Sequence, residues 1–231
     1  MQLTETVIDS ADGRYRRRLW RSPASDAPAC IFLDAELYIE RVGVLSVLDD
    51  MLASGSLPEM QFIFVSNEDA EARHHDYTCN ADYARFIAED ILPAGRPGNL
   101  ICGLSLSGLA AAHIATSYPD SFSGALCQSG SFWWERCRFL QGLLSRETLP
   151  GRFWLSVGTE EREYGVTHPP TGLLQELSQL DSVRLLERVL RERDAIVRVN
   201  EYKGGHDPAM WRAELPEALE WLLVSPAGNP H

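Results

Sequence analysis

The sequence predicts an α/β protein with a mostly parallel central sheet and helices on both of its faces. Short apolar runs alternate with longer stretches in which apolar residues recur at helical spacing, the rhythm of strand–helix–strand units. The short runs are continuously apolar, as strands buried on both faces must be. At 231 residues the chain has the length that one α/β domain routinely fills, so residues 1–231 are expected to form a single domain.

In order, Arg14–Trp20 reads as an early strand and Ala29–Leu33 (ACIFL) as a short buried one. Leu37–Leu52 has helical spacing and runs out near Gly55, a residue suited to helix ends. Met60–Ser66 (MQFIFVS) is a strand, and Asp82–Leu92 a helix stopped by Pro93. The strand Asn99–Cys102 leads into a helix over Leu106–Ser117, which stops before Pro119. Gly124–Gln128 and Arg152–Val157 are strands, and Leu173–Leu190 is a long amphipathic helix. Ala195–Tyr202 (AIVRVNEY) alternates as a strand should. Pro208–Leu223 is a final helix with proline at its start, where the missing N–H has no partner to lose. There is no internal repeat, linker or low-complexity stretch.

Composition excludes several classes. Apolar residues are 45% and charged residues 23%, which rules out wholesale disorder. No apolar run approaches the roughly 18 residues that span a bilayer, so no membrane partner is expected. Met1–Ser10 carries Glu5 and Asp9 without a basic segment, unlike a secretory signal. The net charge of −12 repels phosphate backbones, so nucleic acid is not an expected partner. The five cysteines, Cys30, Cys79, Cys102, Cys127 and Cys137, are odd in number and form no CxxC. Free thiols in apolar strands fit a reducing cytoplasm, the expected location.

Ligands of such sheets bind beyond the carboxyl ends of the strands. Three loops there carry chemistry. The first is Gly103-Leu104-Ser105-Leu106-Ser107-Gly108, between an apolar strand and a helix of small residues. A serine on that sharp turn is exposed above the sheet and needs small residues two positions away; Gly103 and Ser107 supply them. Ser105 is the candidate nucleophile and Ser107 the fallback. The second is Lys203-Gly204-Gly205-His206-Asp207-Pro208, after the last strand. Of the six histidines, His206 stands where an α/β-hydrolase keeps its base; His113 falls within a helix, His74 and His75 in a polar loop, His168 in a stiff proline-rich loop, and His231 ends the chain. The third loop, Gly158-Thr159-Glu160-Glu161-Arg162-Glu163, lies between serine and histidine in chain order, where the orienting carboxylate belongs. Glu160, Glu161 and Glu163 are all candidates; Asp181 and Asp194 are less well placed, and Asp207, adjacent to His206, points elsewhere in most backbone geometries. An oxyanion hole would use the Leu106 N–H and the N–H of Ala35 or Glu36, after an early strand.

Taken together, Ile31-Phe32-Leu33-Asp34, Arg73 to Asn80, Gly103 to Ala112, Gln128-Ser129-Gly130-Ser131-Phe132-Trp133-Trp134, Val157 to Glu161, and Gly204-Gly205-His206-Asp207 with Trp211-Arg212 resemble the Putative esterase family. That family includes enterochelin (catecholate siderophore) esterases, esterase D-like hydrolases and mycolyltransferases. The resemblance is strongest to the catalytic domain of enterochelin esterases. It implies an α/β-hydrolase fold, Ser105 as nucleophile and His206 as base. It favours Glu161 as the acid, three residues past Gly158, and points to Arg73 and Trp134 as binding-cleft residues. The chain departs from the family pattern at Ala35 and Ser107, where glycine is usual; cytosolic enterochelin esterases usually carry an N-terminal domain that helps close over the substrate, and this sequence is expected to start at the first strand of the catalytic domain.

His74-His75-Asp76 lacks the spacing of a metal site, no phosphate loop is present, and no metal or cofactor is expected. Arg14, Arg16, Arg17, Arg18 and Arg21 read as a solvated strand edge, with an anion-attracting rim as the functional alternative. The expected activity is cleavage of a small-molecule carboxylic ester through an acyl-enzyme, with a catecholate siderophore, ferric or not, as the substrate that the resemblance implies. A general carboxylesterase or acyltransferase and a catalytically inactive binding domain are the alternatives.

Overall fold

The computed structural model describes residues 1–93, 95–146 and 148–223. His231 therefore lies outside the described residues. An eight-stranded sheet in the order β1-β2-β4-β3-β5-β6-β7-β10 runs through the molecule. Its strands are β1 (Thr4–Asp9), β2 (Arg16–Arg21), β3 (Ala29–Leu33), β4 (Gln61–Val65), β5 (Asn99–Leu104), β6 (Phe122–Gln128), β7 (Arg152–Gly158) and β10 (Ile196–Tyr202). From β4 to β10 every pairing is parallel, while β2 joins both β1 and β4 antiparallel. The predicted mostly parallel α/β sheet is therefore present.

The core has two layers, set by strand alternation. Ile31 and Leu33 of β3 face one layer; Cys30 and Phe32 face the other. The first layer is covered by α3 (Ala81–Arg85), α4 (Leu106–Ser117), α5 (Trp134–Leu143) and α6 (Gln179–Glu192). The second is covered by α1 (Val44–Ser54) and α7 (Pro208–Leu223). Cys30, Cys102 and Cys127 are buried free thiols within the strands.

Several elements differ from the sequence expectation, each for a local reason. The edge strand β1 has no continuous apolar run, because only alternate positions are partly covered. The expected helix over Leu37–Leu52 is interrupted at Gly43, whose φ of 70° ends a π-helical turn over Leu37–Val42. Arg212 reaches across from α7 to donate to the carbonyls of Gly43 at 2.6 Å and Val42 at 3.1 Å. Asp82–Leu92 is likewise divided into α3 and a π-helical turn over Phe86–Ile91.

His74 and His75 are not in a loop. They belong to α2 (Ala70–Tyr77), whose start is capped by the Asp69 side chain accepting from the Glu71 and Ala72 N–H groups. The expected helix over Leu173–Leu190 begins later. Leu173–Gln175 is β9, paired with β8 (Val166–His168) in a separate hairpin. α6 starts only after Ser178, whose hydroxyl accepts from the Asp181 N–H. Helix α5 has no counterpart in the sequence reading. Its first turn contains Glu135, Arg136 and Cys137 in left-handed conformation, with φ of 45°, 56° and 61°.

Candidate active site

The loops at the carboxyl ends of β5, β7 and β10 converge on a cavity of about 490 Å³. Ser105 sits between β5 and α4 with φ 54° and ψ −122°, a strained conformation that lifts its side chain off the sheet. The small neighbours are obligatory. A Cβ on Gly103 would meet the Ser107 carbonyl oxygen at 2.0 Å, and one on Gly108 would meet the Gly130 Cα at 2.9 Å. Ser107 is fully buried, and its hydroxyl accepts from the Leu104 N–H at 2.9 Å while donating to the Leu104 carbonyl at 2.8 Å. Its role is to brace the turn, which removes it as a fallback nucleophile. Leu106 opens α4, where N–H groups lack intrahelical acceptors, and both Ser105 and Leu106 line the cavity.

Of the three acidic candidates after β7, only Glu161 reaches His206. Its Oε2 lies 2.6 Å from His206 Nδ1. Its Oε1 accepts from the Ser129 hydroxyl at 2.7 Å and the Gly158 N–H at 2.8 Å. Burial would push this carboxyl up, but the bonds from His206, Gly158 and Ser129 outweigh it and hold the group below the ordinary glutamate value. It is therefore ionised at neutral pH, so Nδ1 is the nitrogen that donates to it and Nε2 is the one it leaves unengaged. Glu160 and Glu163 are exposed on the cavity wall and form no side-chain ion pair among the described residues. Asp207 caps the start of α7 by accepting from the Ala209 N–H at 2.9 Å, and the Asp181 carboxylate accepts from the capping Ser178 hydroxyl of α6 at 2.7 Å.

His206 is held from behind by Trp211, edge to face, with ring centroids 4.8 Å apart. Trp211 Nε1 in turn donates to the Ser129 hydroxyl at 3.1 Å. Ser129, with φ 47°, thus joins the acid loop to α7. This brace escaped the sequence reading, although Ser129 lies within one of its specific stretches. The loops themselves are fastened by Thr159 N–H to the Tyr202 carbonyl and Glu160 N–H to the Gly204 carbonyl, both at 2.9 Å. Ser105 and His206 share the cavity without a direct hydrogen bond, a spacing common before substrate arrives.

The remaining predicted residues fall as follows. Arg73 lines the cavity, but its Nε and Nη2 form a fork at 2.7 Å each to both carboxylate oxygens of fully buried Asp34. Trp134 lines the cavity, 7% exposed, and its indole N–H is buried with no partner among the described residues. Ala35 and Glu36 are not among the lining residues; the Glu36 carboxylate accepts from Ser66 and from the Asn67 N–H. The early arginines are engaged elsewhere: Arg14 with Asp82, Arg16 with Asp9, Arg17 with Asp76 and Arg18 with Glu36, while Arg21 donates to the Ile91 carbonyl. None of them lines the cavity.

The β8–β9 hairpin, unforeseen as a hairpin, contributes His168, Leu173 and Gln175 to the wall. His168 stacks on Trp133 with centroids 4.9 Å apart, and Trp133 Nε1 donates to Gln179 Oε1 at 2.6 Å. Its signal was the stiff proline-rich loop around His168. His74 also lines the cavity, with its pKa lowered by burial, Arg73 and His75. His113 lies outside it and is pushed down to about 4 by burial and by Arg146 and Arg138. Among the described residues, no group of three His, Cys, Asp or Glu is placed to hold a metal ion.

The sequence pattern of the family described as Putative esterase matches residues 17–222. The chain belongs to this esterase family. Among its relatives, the iron(III) enterobactin esterase of Dickeya dadantii is 31% identical over 95% of this chain. That of Escherichia coli K12 is 25% identical over 93%. The chain spans only 55% and 56% of those two relatives. Among solved structures, the enterochelin esterase of Shigella flexneri superposes with a TM-score of 0.80 at 24% identity, covering 96% of this chain and 58% of that one. The BES protein of Bacillus cereus superposes with a TM-score of 0.73 at 16% identity, covering 97% of each. The esterase family thus brings the α/β-hydrolase fold with it, and no helix among the described residues is long and apolar enough to cross a membrane.

Proposed function

We infer that this chain is a serine carboxylic-ester hydrolase acting on esters of the catecholate siderophore class. The observation that carries this is the Glu161–His206 pair, 2.6 Å apart, in the same cavity as the strained Ser105. Its membership of the esterase family and its likeness to proteins named enterobactin esterases support the substrate class.

In the proposed reaction, His206 Nε2 takes the proton of Ser105 as Oγ attacks the ester carbonyl carbon. The negative charge that develops on the carbonyl oxygen is met by the Leu106 N–H at the start of α4. The tetrahedral adduct collapses, the alcohol leaves with the proton from His206, and the acyl group stays on Ser105. Water then attacks with His206 as base and releases the acid. Glu161 fixes the imidazole orientation and stabilises its cation in both halves. Residues 1–231 act here as one catalytic unit.

The test compares a short p-nitrophenyl ester with a catecholate trilactone on wild type and on Ser105→Ala. The expected result is cleavage of both by wild type and loss of both in the variant. Cleavage of the aryl ester alone discards the siderophore class. Turnover that survives in Ser105→Ala overturns the nucleophile.

A further inference from the structure

We propose that the cavity selects uncharged esters and discriminates against polyanionic ones, so that a catecholate siderophore is taken metal-free rather than as its iron(III) complex. This rests on the reading of the cavity as an ester site. It concerns the charge of what enters.

The charged groups on the wall decide the sign. Arg73 is the only arginine or lysine among the lining residues. The Nε and Nη2 edge of its guanidinium is already taken by Asp34, which is fully buried, so the pair sums to neutral and only Nη1 is left to donate. Moving Arg73 onto a substrate anion would strand the Asp34 carboxylate without its counter-charge, which a buried carboxylate does not tolerate. Glu161 is turned onto His206, whose Nδ1 its Oε2 meets at 2.6 Å. What is left unmatched is Glu160 and Glu163, both exposed on the wall. His74, the histidine beside Arg73, is held toward its neutral form and offers no compensating cation. Of the β2 arginines that could have formed an attracting rim, Arg16, Arg17 and Arg18 are tied to Asp9, Asp76 and Glu36, and Arg21 is not among the lining residues.

The recognition groups left are uncharged. Trp133 and Trp134 present aromatic surface, and Trp134 holds a buried indole N–H without an acceptor, suited to a neutral oxygen of the ligand. Protonated phenols, which titrate near 10 as tyrosine does, are neutral at pH 7. Three catecholates on iron(III) instead carry six negative charges against three positive, a trianion facing two unpaired carboxylates and, among the described lining residues, no arginine or lysine that lacks a carboxylate partner.

Two matched pairs of substrates test this with the purified chain. The first is p-nitrophenyl butyrate and the same ester bearing a terminal sulfonate on the acyl chain. The second is a metal-free catecholate trilactone and its gallium(III) complex, which has the charge of the iron complex without its redox chemistry. The expected kcat/KM ratio favours the uncharged member at least tenfold in each pair. That ratio should shrink as ionic strength rises, because screening weakens the repulsion, and should shrink again in the Glu160→Gln/Glu163→Gln double variant. Equal or better turnover of the sulfonated ester or the gallium complex overturns the inference, as does a ratio indifferent to both salt and the two substitutions. If neither trilactone form is cleaved while the nitrophenyl pair shows the predicted ratio, the siderophore class fails and the charge selection stands. If no ester is cleaved, both fall together.

Discussion

At the scale of single residues, Ser129 is the most informative position. Its hydroxyl donates to Glu161, accepts from Trp211 and lies 3.1 Å from the Tyr202 hydroxyl. Ser129→Ala leaves those buried groups a partner short, at a cost of about 1–3 kcal/mol in stability. It also removes a bond to an ionised group. At about 1.5 kcal/mol for such a bond, kcat should fall roughly tenfold. A purely structural role would not move the NMR resonance of the His206 Nδ1 proton; loss of the Ser129 bond to its partner carboxylate should. The candidate site was legible at Ser105 and His206 because strand–turn–helix patterning puts those residues at strand ends. The choice among Glu160, Glu161 and Glu163 was open from spacing alone. It depends on which side chain turns inward to the Ser129 hydroxyl and the Gly158 N–H, a three-dimensional fact that adjacent glutamates do not encode.

At the scale of elements, α7 is secured by one buried acid. Glu214 accepts from Ser156 and Gln128 at 2.6 Å each, from Asn200 at 2.8 Å and from Trp154 at 3.2 Å. Burial still raises its pKa above the ordinary value. A carboxyl whose folded pKa is raised keeps its proton in the folded state after the unfolded chain has lost it. Its contribution to stability therefore falls as pH rises from the ordinary value of 4.5 through the raised one. Glu214→Gln should lose about 1–3 kcal/mol at neutral pH, since an amide N–H would face donors. Its unfolding free energy should also lack that part of the pH slope, which parallel melts of the two proteins measure. In α5, the left-handed Arg136 carries the steric cost of a Cβ at positive φ. Arg136→Gly relieves it and should raise stability by up to about 1 kcal/mol, glycine's greater unfolded freedom offsetting part of the gain. The elements hidden from the sequence share a cause. The edge strand β1 and the β8–β9 hairpin bury too little to show a pattern, and the π-helical turn at Leu37–Val42 and strand β9 (Leu173–Gln175) sit inside apolar runs whose helical spacing outvoted them. The buried parallel strands, by contrast, were legible almost to the residue.

At the scale of the whole molecule, charge is the lever. The chain has 33 acidic residues against 21 basic ones, so even complete pairing leaves an excess of acids. Self-repulsion of that kind opposes the compact state. Many of the ion pairs are between exposed groups, such as Arg16 with Asp9 and Arg136 with Glu176, and such pairs are worth little. Screening the net repulsion should therefore outweigh screening those pairs. Tm should rise between low and physiological salt, by about 2–4 °C for each kcal/mol gained. A fall over that range, read by calorimetry, would mean that the surface pairs dominate.

The edge-to-face contact between His206 and Trp211 makes the protein its own optical indicator. An imidazolium quenches an adjacent indole far more strongly than a neutral imidazole does. Trp211 is 4% exposed, so quenchers in solvent scarcely reach it and its emission is governed by the ring 4.8 Å away. The difference in fluorescence between wild type and Trp211→Phe, followed against pH, should trace the protonation of the candidate base without any substrate. During turnover the same light would dim each time the base holds a proton, so that stopped-flow emission could time the two halves of the reaction separately.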